Sequence, residues 1–344
     1  MEMYRFYILK YICLIIILLS GYNICIGDDI SNTWNIHKYS MNNYNVVIKQ
    51  IYKNPIMKGS DLKSKINYVK RYFLGKPYYL PESPLGEGLI SSYDQEPIYR
   101  TDTFDCVTLV DTILALIKGH DFNEFKKNII RIRYRNNTIA YQNRDHWFIQ
   151  VDWNKTNQQN KFIYDVTKNI TNIEGKAIAR VAITNINKPN WYRHLLLTGY
   201  NNDNILGSIR ILKPIKYNEA RIKLSSLRLL GLTQKNIKSK LAYIPLTSLL
   251  DSNGKANNYI FNQVPSIAVI EIVRPNWNVP FKNPYGTNLN VTHLGLAVRN
   301  SKGKLMFIEA SSIYRKVVEI PLDSYLRTYL KSSNNIGINI EKII

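Results

Sequence analysis

Apolar residues recur at intervals of three and four between residues 106 and 117, and this spacing predicts a helix. The positions on this face are Cys106, Leu109, Val110, Ile113, Leu114 and Ile117. Gly119 follows as a natural stop. The same reasoning predicts a helix over residues 121–134 and a mainly helical stretch over 28–75, where Asp61 can cap a segment with an apolar stripe.

Runs of aromatic and β-branched residues between polar turns predict strands at 144–153, 162–167 and 267–273. Asp152 is expected at the end of the first of these. The segments 292–298 and 304–310 flank a good turn and predict a hairpin. A turn centred on Ser301 would set His293 directly opposite Glu309. A shift of one residue would send their side chains to opposite faces of the sheet.

Two stretches break the regular pattern. Residues 74–88 are too rich in proline and glycine for a helix or strand, so they are predicted to form a loop that brings tyrosines close to the start of the 106–117 helix. Residues 168–240 mix helix and strand signals and become basic towards their end. We expect an insertion or subdomain there, with a solvated basic face.

The N-terminus has the three parts of a secretory signal. Arg5 and Lys10 form a basic start, residues 11–19 are apolar, and small residues precede an expected cleavage after Gly27. An uncleaved anchor is the alternative, although the apolar run is shorter than the roughly 20 residues of a membrane-spanning helix. The whole chain, 45% hydrophobic and 21% charged, has the composition of a globular protein.

Export would leave one cysteine in the mature chain, because Cys13 and Cys25 lie within the expected signal. A disulfide within the chain is then impossible, and a lone thiol in an oxidising compartment is a liability unless it has a use. At a helix start, the unpaired N–H groups and the dipole favour the thiolate form of Cys106, which is the nucleophile. The alternative is that Cys106 is a small core residue.

The net charge of +21 indicates an anionic partner. The chain has no nucleic-acid-binding signature, and an exported protein rarely meets nucleic acid. An anionic envelope polymer fits better as the partner. We expect peripheral contact with the envelope and a monomeric protein. The alternative is that the charge reflects a biased composition and no particular partner, since the chain is rich in Lys, Asn, Ile and Tyr together.

A cysteine nucleophile needs a base and a group that orients it. Among the five histidines, His293 opens a predicted strand, and Glu309 on the next strand could hold its imidazole in one tautomer. His146 is also capable of chemistry, although any single histidine is more often structural. The sequence has no G-x-S-x-G, phosphate loop, H-E-x-x-H or zinc spacing, so no metal or cofactor is expected.

These motifs resemble the NlpC/P60 superfamily of papain-like cysteine peptidases, and more closely its N-acetylmuramoyl-L-alanine amidase-like branch, the DUF1460 family. The resemblance covers roughly residues 66–330. It rests on the order of several motifs: the Phe-Asp-Cys start, the Thr-His-Leu-Gly-Leu strand, the Leu-Gly-x-Pro-Tyr loop ending at Tyr78, the Arg-x-His-aromatic segment around His146, and Tyr-Ile-Pro-Leu at 243–246.

The resemblance implies a papain-like α+β fold in which the cysteine helix packs on an antiparallel sheet. The chain then divides into a signal peptide (1–27), an N-terminal helical segment (28–75) and a catalytic domain (76–344) with the insertion at 168–240. The implied reaction is hydrolysis of a peptidoglycan amide, with Cys106 as nucleophile and His293 as general base and acid.

The resemblance also implies that Tyr78, Asp105 and His146 lie near substrate. Two departures stand out. Glu309 occupies the third catalytic position, where the family commonly has histidine or a neutral polar residue, and Val107 replaces a small hydroxyl residue.

Three functions are compatible with these residues. The first is an exported, periplasmic or envelope-associated hydrolase that cleaves either the lactyl–L-Ala amide or a bond between stem residues. The second is a non-catalytic wall-binding protein that keeps the fold and uses its basic surface. The third is an acyltransferase that uses the same cysteine.

Overall fold

The computed structural model describes residues 30–59, 61–78, 97–191, 236–277, 287–332 and 336–344. The chain forms two compact units, Met1–Ser40 and Met41–Ile344. Residues 30–40, the described part of the first unit, are helical. No helix among the described residues has both the length and the apolar composition needed to cross a bilayer. The expected signal peptide lies outside the described residues.

The described helices fall into four long ones and four short ones. The long ones are α1 (Ile30–Tyr52), α2 (Leu62–Phe73), α3 (Cys106–Lys118) and α4 (Phe122–Arg133). The short ones are α5 (Asn154–Gln159), α6 (Leu246–Leu249), α7 (Asn258–Gln263) and α8 (Leu322–Arg327). Asp61 caps α2 through its carboxylate, as the sequence predicts. Asp121 caps α4 in the same way.

Eight strands form one sheet in which every pair of named strands is antiparallel. The order is β2-β3-β8-β4-β5-β6-β7, and β1 pairs with β8. The strands are β1 (Ile163–Asp165), β2 (Arg180–Ile186), β3 (Ile237–Pro245), β4 (Ile267–Trp277), β5 (Leu289–Arg299), β6 (Leu305–Ser311), β7 (Lys316–Pro321) and β8 (Gly337–Ile343).

Alternation along the strands divides the core between the two faces of the sheet. On one face, residues such as Leu294, Leu296 and Ile308 pack with α2, α3, α4 and the part of α1 after Ser40. On the other face, residues such as Ala297 and Phe307 pack with the short helices α6, α7 and α8. The helix that begins at Cys106 is therefore at the centre of one layer of a mixed helix and antiparallel-sheet fold, which confirms the α+β class.

The long helices and the C-terminal hairpin agree with the sequence predictions, but the stretch 144–153 does not. It was predicted as a strand, and instead it forms one isolated bridge between Arg144 and Tyr134 followed by a π-helical turn, Ile149–Trp153. Its aromatic and β-branched residues pack in the interior without pairing with a strand. The predicted insertion at 168–240 includes β2 and the start of β3, while residues 192–235 lie outside the described residues.

Candidate active site

Helix α3 begins at the cysteine, and the preceding residue supplies a complete N-terminal cap. The Asp105 carboxylate accepts the backbone N–H of Thr108 at 2.8 Å, and the Thr108 hydroxyl accepts the backbone N–H of Asp105 at 2.9 Å. This reciprocal pair is a capping box. Residues 107–117 are all buried, whereas Cys106 remains partly exposed. The helix start therefore presents its thiol to solvent-accessible space.

Strands β5 and β6 form the predicted hairpin with a different register. Arg299 pairs with Leu305, so the strands are symmetric about Lys302 rather than Ser301. The turn 300–304 sets this centre, because the backbone N–H of its first residue donates to the carbonyl of its last at 2.9 Å. The prediction of the turn is confirmed, and its predicted centre is wrong by one residue.

This register places Glu309 diagonally across from His293, because the position directly opposite His293 is Ser311. An offset of two residues keeps both side chains on the same face of the sheet, so the predicted proximity holds. Gly295 makes close packing possible here. A Cβ at that position would come within 2.7 Å of a backbone carbonyl oxygen and of the Phe307 ring.

His293 lies between two anionic partners. Its Nε2 is 2.5 Å from Oε2 of Glu309, whose side chain is buried. Burial would lower the pKa of His293, but hydrogen bonds to Cys106 and Glu309 and the negative charge of both partners raise it to about 10. The arrangement favours a protonated imidazole hydrogen-bonded to both Cys106 and Glu309.

The aromatic rings of Phe307 and Tyr325 pack against the imidazole of His293. The ring centroid of His293 is 6.2 Å from that of Phe307 and 6.0 Å from that of Tyr325. The Tyr325 hydroxyl is hydrogen-bonded to that of Tyr329 at 2.8 Å. Because these rings belong to the packed core on the α8 side of the sheet, they restrict the imidazole to one orientation.

A second histidine pairs with the residue next to the nucleophile. His146 Nε2 lies 3.3 Å from Oδ2 of Asp105, and both side chains are buried. Burial opposes ionisation of Asp105, but interactions with His146 and Thr108 outweigh it and lower its pKa to about 2. Burial also lowers the pKa of His146. We therefore describe the pair as an ionised Asp105 that accepts a hydrogen bond from a neutral His146.

Cys106 and both histidines line one pocket of about 190 Å³. Tyr78 reaches it because its backbone N–H donates to the Arg315 carbonyl at 3.0 Å and its backbone bridges to Phe104. The structure thus brings together five of the six predicted site residues around one cavity. The sixth, Glu309, does not line the cavity but contacts His293. The full lining is Tyr78, Asp105, Cys106, Val107, His146, Trp147, Ile149, Trp191, Trp277, Leu289, Val291, Thr292, His293 and Leu294.

The family model for AmiA-like, N-acetylmuramoyl-L-alanine amidase-like proteins matches residues 68–332. This range contains the whole pocket. The chain belongs to the AmiA-like family. Family membership indicates an amidase-like enzyme with a peptidoglycan-related substrate, which agrees with the DUF1460 resemblance noted above.

Solved structures agree with this assignment. A Legionella pneumophila protein of the DUF1460 family has 35% identity and a TM-score of 0.77, and the match covers 90% of this chain and 97% of that one. An N-acetylmuramoyl-L-alanine amidase from Bacteroides uniformis has 21% identity and a TM-score of 0.52, with 82% and 98% covered. The second likeness shows the fold alone. Among curated proteins, none matches this AmiA-like chain.

Sequence reasoning missed the aromatic part of the AmiA-like pocket. Trp147, Trp191 and Trp277 line it, although they lie far apart in sequence. The available signal was their number, since the whole chain has five tryptophans. Asp152, considered as a strand end, instead forms a buried ion pair with Lys188 at 2.5 Å and does not line the pocket.

The remaining histidines lie elsewhere. His120 is exposed just after the end of α3. The side chain of His37 and the whole of His194 lie outside the described residues. Within the described ranges, no group of three or more His, Cys, Asp or Glu side chains has a metal-binding arrangement.

Proposed function

We propose that this AmiA-like protein is a cysteine hydrolase of the NlpC/P60 type, with a papain-like fold, that cleaves an amide bond in peptidoglycan. The observation that carries the proposal is the Cys106–His293–Glu309 arrangement at the pocket. Of the two candidate bonds, we favour the lactyl–L-Ala amide, because the family and its Bacteroides uniformis neighbour are described by that activity.

The first half of the reaction is formation of an acyl-enzyme. The Cys106 thiolate attacks the amide carbonyl, and the resulting oxyanion accepts hydrogen bonds that include the Cys106 backbone N–H at the start of α3. Glu309 occupies Nε2 of His293, which leaves Nδ1 to exchange protons on the pocket side. The imidazolium then donates its proton to the leaving amine, the C–N bond breaks, and a thioester remains on the sulfur.

The second half is hydrolysis of that thioester. Neutral His293 takes a proton from water, and the hydroxide attacks the thioester carbonyl. The C–S bond breaks, the carboxylic acid product leaves, and the sulfur and imidazole return to their starting protonation. Glu309 keeps the imidazole oriented and stabilises its positive charge in both halves.

Three further residues support substrate binding. Tyr78 and His146 line the pocket beside Cys106, and we propose that both contact substrate. Asp105 lines the pocket too, but its two carboxylate oxygens already accept hydrogen bonds from Thr108 and His146. We therefore assign Asp105 the role of holding His146 and the start of α3.

We also propose that the protein is exported and acts as a monomer in the periplasm or envelope. The support is the basic–apolar–small pattern of residues 1–27. The net charge of +21 is consistent with peripheral contact to an anionic envelope.

The test is product analysis with the Cys106→Ala variant. We expect wild-type protein to release stem peptide from defined muropeptides or purified sacculi, detected by mass spectrometry. The variant should lose at least about 1,000-fold in kcat/KM, because covalent catalysis disappears with the sulfur. An unchanged release of stem peptide would eliminate the proposal.

Two controls separate the alternatives. His120→Ala changes an exposed histidine and should keep full activity. An added amine acceptor distinguishes a hydrolase from an acyltransferase, because only the latter gives a new amide product. Retention on sacculi without any turnover, together with a thiol that fails to react with iodoacetamide at neutral pH, would instead indicate a wall-binding protein.

A further inference from the structure

The turn between β6 and β7 exposes two large apolar side chains. Ile313 is 76% exposed and Tyr314 is 53% exposed. Among the described residues, no other pair of exposed large hydrophobic side chains is consecutive in the sequence. Scattered apolar side chains are ordinary on protein surfaces, whereas contiguous ones mark sites of interaction with proteins or membranes. The turn is therefore a candidate contact surface.

The turn is held in place by backbone pairing. Ser311 at the end of β6 pairs with Lys316 at the start of β7, so four residues connect the two strands. Arg315, the last of them, has a φ of 58° in the left-handed region. On its outer edge β7 bonds to the chain that follows α2, because the backbone N–H of Val317 donates to the Lys76 carbonyl at 2.8 Å. The two apolar side chains therefore project from a fixed support, which reduces the entropy cost of binding a partner.

The same turn is positively charged. Arg315 and Lys316 are exposed, and neither belongs to an ion pair among the described residues. The one acidic residue of β7, Glu319, is neutralised by Lys70, whose Nζ lies 2.5 Å from its carboxylate. Residues 311–318 contain no other Asp or Glu. The turn therefore presents two apolar side chains together with two cations.

This combination matches the interface of an anionic lipid bilayer. A four-residue turn has no concavity that could enclose a small molecule, but an aliphatic side chain can enter the acyl region while a tyrosine lies at the level of the headgroups. Arg and Lys are attracted to anionic headgroups, in keeping with the net charge of +21. We propose that residues 312–316, the β6–β7 tip, dock the protein on a bilayer that contains anionic phospholipid. This inference rests on the proposed export to the envelope.

The β6–β7 tip lies next to the pocket. The Arg315 carbonyl accepts the backbone N–H of Tyr78 at 3.0 Å, and Tyr78 lines the pocket together with Cys106. Docking therefore places the pocket close to the bilayer surface, so that the protein acts on substrate near the membrane.

A site-specific probe tests the contact directly. A bimane fluorophore is attached through Ile313→Cys in full-length protein whose own thiols are removed by Cys13→Ser, Cys25→Ser and Cys106→Ala. With vesicles of phosphatidylglycerol and phosphatidylcholine in equal parts, spin-labelled lipid should quench the fluorophore, and its emission should shift to the blue. The same fluorophore attached through Ile173→Cys should show neither change. Because the signal comes from one position, it does not depend on whether the N-terminal segment also binds lipid.

Vesicle co-sedimentation measures how much the β6–β7 tip contributes to binding. The double substitution Ile313→Ser, Tyr314→Ser should weaken binding of the full-length protein to the anionic vesicles by at least about tenfold, because the apolar contact is lost. Ile173→Ser is the matched control and should bind like wild type. Ile173 is 81% exposed in another tight turn, but the ion pair of Glu174 with Lys176 at 3.3 Å leaves that turn without net charge. Vesicles of pure phosphatidylcholine, or high salt, should reduce the binding of wild-type protein.

Activity on a soluble muropeptide separates docking from a role in catalysis. The Ile313→Ser, Tyr314→Ser variant should keep the wild-type kcat/KM on this substrate. Absence of quenching at position 313, or equal quenching at positions 313 and 173, would overturn the β6–β7 tip as a docking surface. A loss of activity on soluble muropeptide without a loss of vesicle binding would also overturn it, because the tip would then contact substrate. If wild-type protein binds vesicles through the tip but cleaves no muropeptide, the proposed hydrolase function fails and the docking surface stands.

Discussion

Two histidine–carboxylate pairs lie close to Cys106, and their histidines have pKa values shifted in opposite directions. His293 pairs with Glu309 across β5 and β6, and its pKa is raised to about 10. His146 pairs with Asp105 at the start of α3, and its pKa is lowered. Each pair has a buried carboxylate, so the presence of a carboxylate does not by itself decide the charge of a histidine.

The difference comes from the other neighbours. His293 has a second anionic partner in the Cys106 thiolate, and both partners outweigh the effect of burial. His146 has Asp105 alone to oppose burial, and the positive charges of Arg133 and Arg144 act with burial to keep it neutral. The sum of nearby charges and desolvation therefore sets the proton on each ring.

This comparison assigns different chemistry to the two histidines of the pocket. The charged His293 can transfer a proton, whereas the neutral His146 offers a hydrogen-bond acceptor. It also bears on the nucleophile. The ionised Asp105 is adjacent to Cys106 and offsets the positive end of the helix dipole there, so the positive charge beside the sulfur is that of the His293 imidazolium.

Removing each histidine gives the largest expected contrast. His293→Ala should lower kcat/KM by about 1,000-fold or more, because the proton donor and base are both lost. His146→Ala should act mainly on KM and by a much smaller factor, about tenfold, because it removes one hydrogen bond. Steady-state kinetics on a defined muropeptide measures both. Equal losses of kcat in the two variants would break the comparison.

Replacing the orienting carboxylate should have an intermediate effect. Glu309→Gln keeps the shape and removes the charge that favours the imidazolium, so the pKa of His293 should fall from about 10. The alkaline limb of the kcat/KM profile should move to lower pH, with a roughly 10- to 100-fold loss at neutral pH. An alkaline limb at the wild-type position would show that Glu309 does not act on His293.

The sequence predicted the parts of this site that depend on local signals. The helix from Cys106 follows from its apolar spacing and from Gly119 after it, and the hairpin follows from its turn residues. The turn is centred one residue later than predicted, which offsets Glu309 by two positions from the residue opposite His293. An offset of two keeps both side chains on the same face of the sheet, so they still meet. An offset of one would have placed them on opposite faces.

Other parts depend on contacts between distant segments. Trp147 precedes a π-helical turn, Trp191 follows the ion-paired Lys188, and Trp277 ends β4. Only the tertiary fold brings these three segments to one pocket. The run at 149–153 has the composition of a strand. In the structure it forms a π-helical turn, and the indole N–H of Trp153 donates a hydrogen bond to Asp111 at 2.8 Å in the interior. Periodicity carries no information about such buried polar contacts, so a single sequence could not reveal them.

The smallest expected effect concerns stability at acid pH. The pKa of Asp105 is about 2 in the folded protein, below its ordinary value of 3.8, so the folded state binds its proton less readily. Its contribution, about 2 kcal/mol, is present above pH 3.8 and lost as the pH falls through 2. Asp105→Asn keeps a capping oxygen but removes this charge, so urea unfolding should show a wild-type advantage that shrinks on acidification.

Asp121→Asn is the matched control. Asp121 also caps a helix, α4, but it is exposed and its carboxylate accepts only backbone N–H groups. Asparagine is an equally good N-cap, so this variant should differ little from wild type at any pH. An Asp105→Asn deficit that is constant from pH 7 to pH 2.5 would mean that the lost interaction is steric, and that His146 does not depend on the charge of Asp105.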